Sequence, residues 1–271
     1  AGGGGKGIRV LPDGRELADH IAAAMREGAG AFGDPALLVE RYLPRGRHVE
    51  VQILGDGRGG VLHLWERECS LQRRHQKVVE EAPALPLPSG LRQRLLDAAT
   101  ALGRHVRYRA LGTVEFLVAG DDFFFLEVNP RLQVEHPVTE AVTGLDLVEL
   151  QVRAAAGEPL PLAQQAVRCR GHAMELRLYA EDPAQGFVPS AGTLHHLRWP
   201  AEGVRLETGV EAGAVVTPHY DPMLAKLIVH GDDRGAALAA ARRALAATQV
   251  VGVAHNLALL EALLAAPEVT G

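Results

Sequence analysis

The sequence is poor in cysteine: only Cys69 and Cys169 occur among 271 residues. Two thiols so far apart supply neither a disulfide framework nor a zinc site, and they fit a reducing compartment. Positive charge is not in excess either. Lys and Arg number 28 against 33 Asp and Glu, for a formal net charge of -5. That balance argues against a general nucleic-acid binder. The short basic runs Arg73-Arg74-His75 and Arg168-Cys169-Arg170 do not change it. No apolar run reaches the length of a membrane span, and no apolar signal core opens the chain. A cytoplasmic protein with no membrane partner is expected. Internal repeats are lacking. An initiator Met is also missing, so a piece of something longer is expected. What the chain does have is hydrophobic content, 47%, enough for one large domain or two modest ones.

The spacing of Leu17, Ile21, Ala24 and Met25 predicts a helix over residues 14–31, with Asp13 as its cap. Strand patterns are read over 36–43, 48–54 and 60–65, the last two joined by a turn at Gly55-Asp56-Gly57. Residues 69–83 are polar, without hydrophobic periodicity, and read as a loop. A proline-rich bend leads to a helix over 89–106 capped by Ser89, and another helix is expected over about 146–156. From Gly171 the texture changes to short strands (172–179, 193–199, 204–207, 214–217, 225–229) and two helices, about 234–247 and 256–264, whose apolar stripes read as core. Strands linked by hairpins rather than regular crossovers indicate an α+β fold with an antiparallel sheet.

Chemistry concentrates in Gly112 to His136, GTVEFLVAGDDFFFLEVNPRLQVEH. Glu115 lies on one predicted strand, Glu127 and Asn129 on the next, with Gly120-Asp121-Asp122 as the turn. Period-2 alternation puts Glu127 and Asn129 on one face. Charged groups among Phe and Val cost free energy unless paired. Two carboxylates and an amide are hard oxygen ligands suited to Mg²⁺ carried on a nucleotide phosphate. An edge hairpin with solvated acids is the competing reading, and the Arg131, Gln133, Glu135 tail weighs against it by adding an anion clamp and a base. Ala1-Gly2-Gly3-Gly4-Gly5-Lys6-Gly7 reads either as a flexible linker or as a loop whose N–H groups cradle phosphate. It is not a P-loop, because Gly7 stands where Ser or Thr is required.

The stretches HVEVQILGDGRGGVLHLWERECSLQRRHQKVVEEAPA, FLEVNPRLQVEHPVTEAVTGLDLVELQ and MELRLYAEDPAQGFVPSAGTL resemble the biotin carboxylases, ATP-grasp enzymes that charge biotin in acyl-CoA and pyruvate carboxylases. The likeness runs from end to end. RLYAEDP and HYDPMLAKL look closer to the alpha subunits of acyl-CoA carboxylases than to the free-standing bacterial acetyl-CoA enzyme. The resemblance implies an ATP-grasp portion over 1–168, with a lid over about 1–42, and a biotin carboxylase C-terminal domain over 169–271. It implies that Glu115 and Glu127, with Asn129 assisting, hold Mg²⁺ (or Mn²⁺) on ATP. Arg131, with Gln133 and the Val134 N–H, would clamp bicarbonate, and Glu135 would remove its proton. Carboxyphosphate would follow, then transfer to biotin on a carrier domain, with Arg177 stabilising the ring oxygen. Lys77 would lie beside the bicarbonate. Glu40 and Leu43 match the adenine segment, His48, Gln72 and His75 the ribose and phosphate rim, and Gly3, Gly4, Gly5 and Gly7 the lid loop. The implied partners are a biotin carboxyl carrier domain, a carboxyltransferase subunit and further copies of the full-length parent.

The family's upstream nucleotide-fold domain and the lysine before its glycine loop are not in this sequence, so the chain by itself is expected to be inactive. No biotin-attachment motif appears, so the carrier lies elsewhere. Alternatives stay open. Another ATP-grasp ligase, carbamoyl-phosphate synthase-like, shares the paired carboxylates, and a silent nucleotide-binding or scaffolding homologue would share the fold. Taken singly, His48 reads as a surface histidine, His75 and Lys77 as a solvated loop, and Arg177 as an ion-pair partner of Glu175 or Glu181.

Overall fold

The computed structural model describes residues 9–11 and 14–270. Asp13 and the Gly3, Gly4, Gly5 and Gly7 loop lie outside them. By internal contact the chain divides into two units, residues 1–46 with 72–76, and residues 47–71 with 77–271. In the first unit the helix α1 (Leu17–Phe32) ends where Gly33 takes a left-handed φ of 71° and donates to the Ala29 carbonyl. The strand expected over 36–43 is irregular backbone instead. Leu38 is 90% exposed and Val39 81%. Strand propensity without a pairing neighbour or a buried face does not make a strand.

The second unit is built on an eight-stranded sheet. Its strands are β1 (Arg47–Asp56), β2 (Val61–Arg73), β3 (Gln76–Ala82), β4 (Arg109–Ala119), β5 (Asp122–Asn129), β6 (His172–Tyr179), β7 (Arg205–Thr208) and β8 (Met223–Gly231). Their order is β7-β8-β6-β3-β2-β1-β4-β5, and the described ladders are antiparallel. The α+β expectation holds. The supposed loop over 69–83 is mostly strand, with Arg74-His75 as the turn between β2 and β3. Its periodicity is hidden because Val78, Val79, Glu80, Glu81 and Ala82 are all buried. The acids there are buried in ion pairs, so polarity no longer alternates with exposure. The Gly120-Asp121 turn between β4 and β5 falls as expected, with Gly120 at φ 62°.

Five helices cover this sheet: α2 (Ser89–His105), α3 (His136–Thr143), α4 (Leu147–Ala155), α5 (Arg234–Ala247) and α6 (Leu257–Ala265). Ser89, expected as the cap of α2, is its first residue; Pro88 holds the cap position and no side chain caps it. Strand alternation sorts β1. Val49, Val51 and Ile53 join Val114, Phe116 and Val118 of β4 against Leu91, Leu95 and Ala99 of α2. On the opposite face Leu54 joins Leu62, Leu64 and Leu111 against Leu147 and Leu150 of α4. That leaves His48, Glu50 and Gln52 to share the Leu54 face. At the other end, Ala237, Leu238, Ala241, Ala244 and Leu245 of α5 pack on Met174, Leu176, Leu227 and Val229. This i, i+4, i+7 stripe is core, as its spacing predicts.

An ionic clamp fastens α5 to the sheet. Glu81 accepts from Arg234 Nε at 2.7 Å and Nη2 at 3.1 Å, and meets His172 Nε2 at 2.7 Å. Arg234 Nη1 also donates to the Val269 carbonyl at 2.6 Å. Burial works against the charge on Glu81, but hydrogen bonds from His172 and Arg234 outweigh it and hold its carboxyl below the usual range. A folded pKa below the unfolded one makes this contribution present at neutral pH and lost as pH falls through the carboxylate range. Glu81→Gln is therefore expected to cost on the order of 3–5 kcal/mol near neutrality and clearly less in acid, read from urea unfolding at both pH values. An equal cost at both would contradict the ionic account.

Candidate active site

The polar face of the sheet is organised by Arg67, whose guanidinium is fully buried. Its Nε donates to Glu50 at 2.6 Å. Nη1 donates to Gln52 at 2.7 Å and Thr139 at 2.9 Å, and Nη2 to Thr113 at 3.3 Å and Gln133 at 3.1 Å. All five N–H groups are thereby used, which is what burying a guanidinium demands. Strand register places these partners. Glu50 of β1 lies opposite Arg67 of β2 on one side and opposite Glu115 of β4 on the other. Glu115 in turn lies opposite Glu127 of β5. A row of charged residues therefore crosses four strands on one face.

Lys77 ties the row together. Its Nζ donates to Glu50 at 2.5 Å, Glu115 at 3.0 Å and Glu135 at 2.6 Å. Burial opposes the charge on Lys77, but the ionisable groups of Cys69, Glu50, Glu135 and Glu115 raise its pKa. His48 Nε2 lies 3.1 Å from Glu115 and 3.7 Å from Glu50. Burial disfavours its cationic form, yet Glu115 and Glu50 raise it to about 9. Glu50 is held well below the usual range: burial opposes this, and Arg67, Lys77 and His48 overcome it. Glu115 is lowered in the same way, burial being outweighed by His48 and Lys77.

Glu115 and Glu127 face the same way. The Asn129 amide bridges them, 3.1 Å from Glu115 and 3.2 Å from Glu127. Directly opposed like charges repel across a ladder unless something neutralises them. Two carboxylates and an amide that can turn its oxygen inward are the donor chemistry of Mg²⁺ or Mn²⁺, so the residues fit such an ion. Gln133 donates to Glu115 at 3.0 Å, and Arg131 donates to the Asn129 oxygen at 3.1 Å from an exposed position. The Val134 carbonyl accepts from Lys226 at 2.8 Å, and Lys226 pairs with Glu207 at 2.6 Å.

Glu135 stands at the N-terminus of α3, between two cations: Lys77 on one oxygen and Arg177 on the other at 2.9 Å. The ion-pair partners of Arg177 are Glu80 and Glu135, rather than Glu175 or Glu181. Its backbone is pinned by Asn256, which is fully buried. The Asn256 amide donates to the Arg177 carbonyl at 3.0 Å and accepts from the Tyr179 N–H at 2.8 Å. Glu50, Arg67, Glu80, Lys226 and Asn256 go unnoticed in the sequence reading. For Glu50 a signal exists in the alternation His48-Val49-Glu50-Val51-Gln52-Ile53, which shows a polar stripe inside a strand.

Of the remaining candidates, Glu40 and Leu43, with Gln72 and His75, belong to the first unit. Glu40 and His75 are exposed there, and Leu43 and Gln72 half-buried.

Residues 1–163 match the family model of the carbamoyl-phosphate synthase L chain ATP-binding domain, and residues 175–271 match that of the biotin carboxylase C-terminal domain. The chain belongs to the biotin carboxylase family. The mitochondrial methylcrotonoyl-CoA carboxylase subunit alpha of Arabidopsis thaliana is 52% identical over 266 residues, covering 97% of this chain and 36% of the relative. The human mitochondrial propionyl-CoA carboxylase alpha chain is 49% identical over 264 residues, covering 96% and 36%. The biotin carboxylase domain of Hydrogenobacter thermophilus 2-oxoglutarate carboxylase was solved as a dimer with MgADP, ADP and bicarbonate. It superposes with a TM-score of 0.94 at 40% identity, over 98% of this chain and 59% of that one. This biotin carboxylase chain thus spans little more than a third of the length of the curated relatives it matches.

The buried pairs lead to two expectations. Arg67→Met leaves Glu50 without its main counter-charge and should cost on the order of 3–5 kcal/mol in chemical unfolding; a cost under about 1 kcal/mol would show that Lys77 and His48 suffice. His48 has a folded pKa of about 9, above that of a free imidazole. Its contribution is full below the unfolded pKa and lost as pH rises through about 9. His48→Gln should flatten the fall in stability across that window, and an NMR titration of the ring should show the raised midpoint directly.

Proposed function

We propose that this chain belongs to a longer protein that carries out ATP- and bicarbonate-dependent carboxylation of biotin on a carrier domain, as the biotin carboxylase part of an acyl-CoA carboxylase, and that the chain by itself is inactive. One observation carries the reading: a single ammonium, Lys77 Nζ, joins Glu115 of the oxygen-donor cluster to Glu135, whose other oxygen meets Arg177. Phosphate chemistry and proton removal are thereby adjacent. The names of the relatives, carboxylase alpha subunits and biotin carboxylase domains, support the same conclusion.

In this reading Lys77 and Arg177 each hold one oxygen of Glu135 and so aim the carboxyl group. Glu135 takes the proton of bicarbonate, and the freed oxyanion attacks the γ-phosphate of ATP, forming carboxyphosphate as ADP leaves. Arg131, the Gln133 amide and the Val134 N–H donate to the bicarbonate oxygens, the planar guanidinium matching a planar anion. Glu115, Glu127 and Asn129 would hold Mg²⁺ (or Mn²⁺), which when bound neutralises charge on the phosphates. Glu40 and Leu43 take the adenine, His48, Gln72 and His75 the ribose and phosphate rim, and the Gly3, Gly4, Gly5 and Gly7 loop shuts out water. Carboxyphosphate then splits into CO₂ and phosphate, the phosphate takes the proton of the biotin ring nitrogen, that nitrogen attacks CO₂, and Arg177 stabilises the ring oxygen that gains charge in between. Residues 1–168 form the ATP-grasp portion, with its lid at about 1–42, and 169–271 the C-terminal portion. The partners are a biotin carboxyl carrier domain, a carboxyltransferase subunit and a second copy of the full-length protein, the last supported by the dimeric neighbour. Cys69 and Cys169 form no disulfide, which suits the cytoplasm, and among the described residues no helix is long and apolar enough to cross a membrane.

The test pairs two assays on the full-length protein, phosphate release and biotin carboxylation. Glu135→Gln should lose both by on the order of 10²–10⁴. Arg177→Gln should depress carboxylation well beyond phosphate release, because Lys77 still holds Glu135 while the biotin side loses the cation assigned to it. Equal losses in both assays for both variants would refute the division of labour.

A further inference from the structure

Two buried carboxyl groups behind Arg177 take no part in that sequence of steps. Glu80 of β3 and Glu175 of β6 are register partners, and both are 0% exposed. The Arg177 Nη2 that donates to Glu135 at 2.9 Å is also ion-paired with Glu80 Oε1. One terminal nitrogen therefore serves two carboxylates, one at the candidate base and one behind it. Neither oxygen of Glu175 has a hydrogen-bond partner among the described residues. Acids directly opposed in a dry interior do not both ionise, so the pair keeps a proton.

We propose that Glu80 is a positioning residue for Arg177: ionised, it draws the guanidinium back from Glu135 and leaves it available to the biotin ring, and protonated, it lets Arg177 collapse onto Glu135. This rests on the biotin carboxylase reading above. The surroundings set the pH at which the change occurs. Across the ladder stand Glu175 and Arg177; Glu135 faces Glu80 from the start of α3, Lys77 from its own strand and Cys69 from β2. Lys226 of β8 and Tyr179 of β6 complete the set. Burial raises Glu80, Arg177 opposes it and Glu135 reinforces it, for a result of about 7. Burial and the neighbouring Glu80 push Glu175 far higher, so Glu175 is the proton holder.

The experiment measures the ratio of biotin carboxylation to bicarbonate-dependent phosphate release across pH 6–9 in the full-length protein. In the wild type the ratio should rise on the order of tenfold with pH, with an inflection near 7. In Glu80→Gln it should stay flat at the wild-type acid value. In Glu175→Gln, where an amide N–H now favours ionised Glu80, the inflection should move to lower pH. A flat wild-type ratio, a Glu80→Gln variant that keeps the inflection, or a Glu175→Gln variant that leaves it unmoved would each overturn the proposal. Should Glu80→Gln not fold, the wild type and Glu175→Gln still decide. A wild type with neither activity would overturn the enzymatic reading, and this proposal with it; both activities with a flat ratio overturn this proposal alone.

Discussion

One buried guanidinium governs the polar face of this protein. Arg67 cannot sit in a dry interior unless each of its five N–H groups finds an acceptor, and those acceptors come from β1, β4, the turn before α3 and α3 itself. A buried ion pair gains little net stability over well-packed hydrocarbon. What this pair does supply is geometry. The planar donor fork fixes Glu50 beside Lys77, and Gln133 beside Glu115, without leaving either free to turn.

Around that fork, acids alternate with an amide and two cations. Glu127 and Glu115 meet through Asn129, Glu115 and Glu135 through Lys77, and Glu135 and Glu80 through Arg177. Lys77 and Arg177 are each shared by at least two carboxylates, so a change of charge at one end is felt at the next. Low dielectric strengthens this coupling and makes any orphaned member costly. The layout therefore makes the parts of the site interdependent.

The sheet explains how so many charges can be buried at all. Apolar side chains fill one face of β1 and β4 beneath α2, and Leu54, Leu62 and Leu64 close the far end of the other face beneath α4. The polar stripe occupies what is left, at positions dictated by a period of two. Where both faces of a strand are buried, as in β3, that signature vanishes, and Glu80 and Glu81 look like loop residues although they are among the best-buried acids in the chain.

The local signals were legible without a structure. The hairpin around Gly120, the polar-apolar alternation after His48, and the helices at 89–105, 234–247 and 257–265 follow from periodicity and turn chemistry that any window of the chain displays. So did the shared face of Glu127 and Asn129, and the oxygen-rich character of the cluster. Other features needed tertiary structure. Residues 36–43 carry strand-like composition but find no pairing partner, because pairing is a property of the sheet and not of the segment. The partners of Arg177 could not be guessed from its neighbours Glu175 and Glu181. The adjacent strand β3 brings Glu80 to it and the start of α3 brings Glu135, across sequence separations of 97 and 42 residues. Arg67 is the extreme case: its acceptors are scattered from Glu50 to Thr139, and only the folded register makes them one shell. Composition and period specified which residues could be buried or paired; strand order and register decided which charges meet.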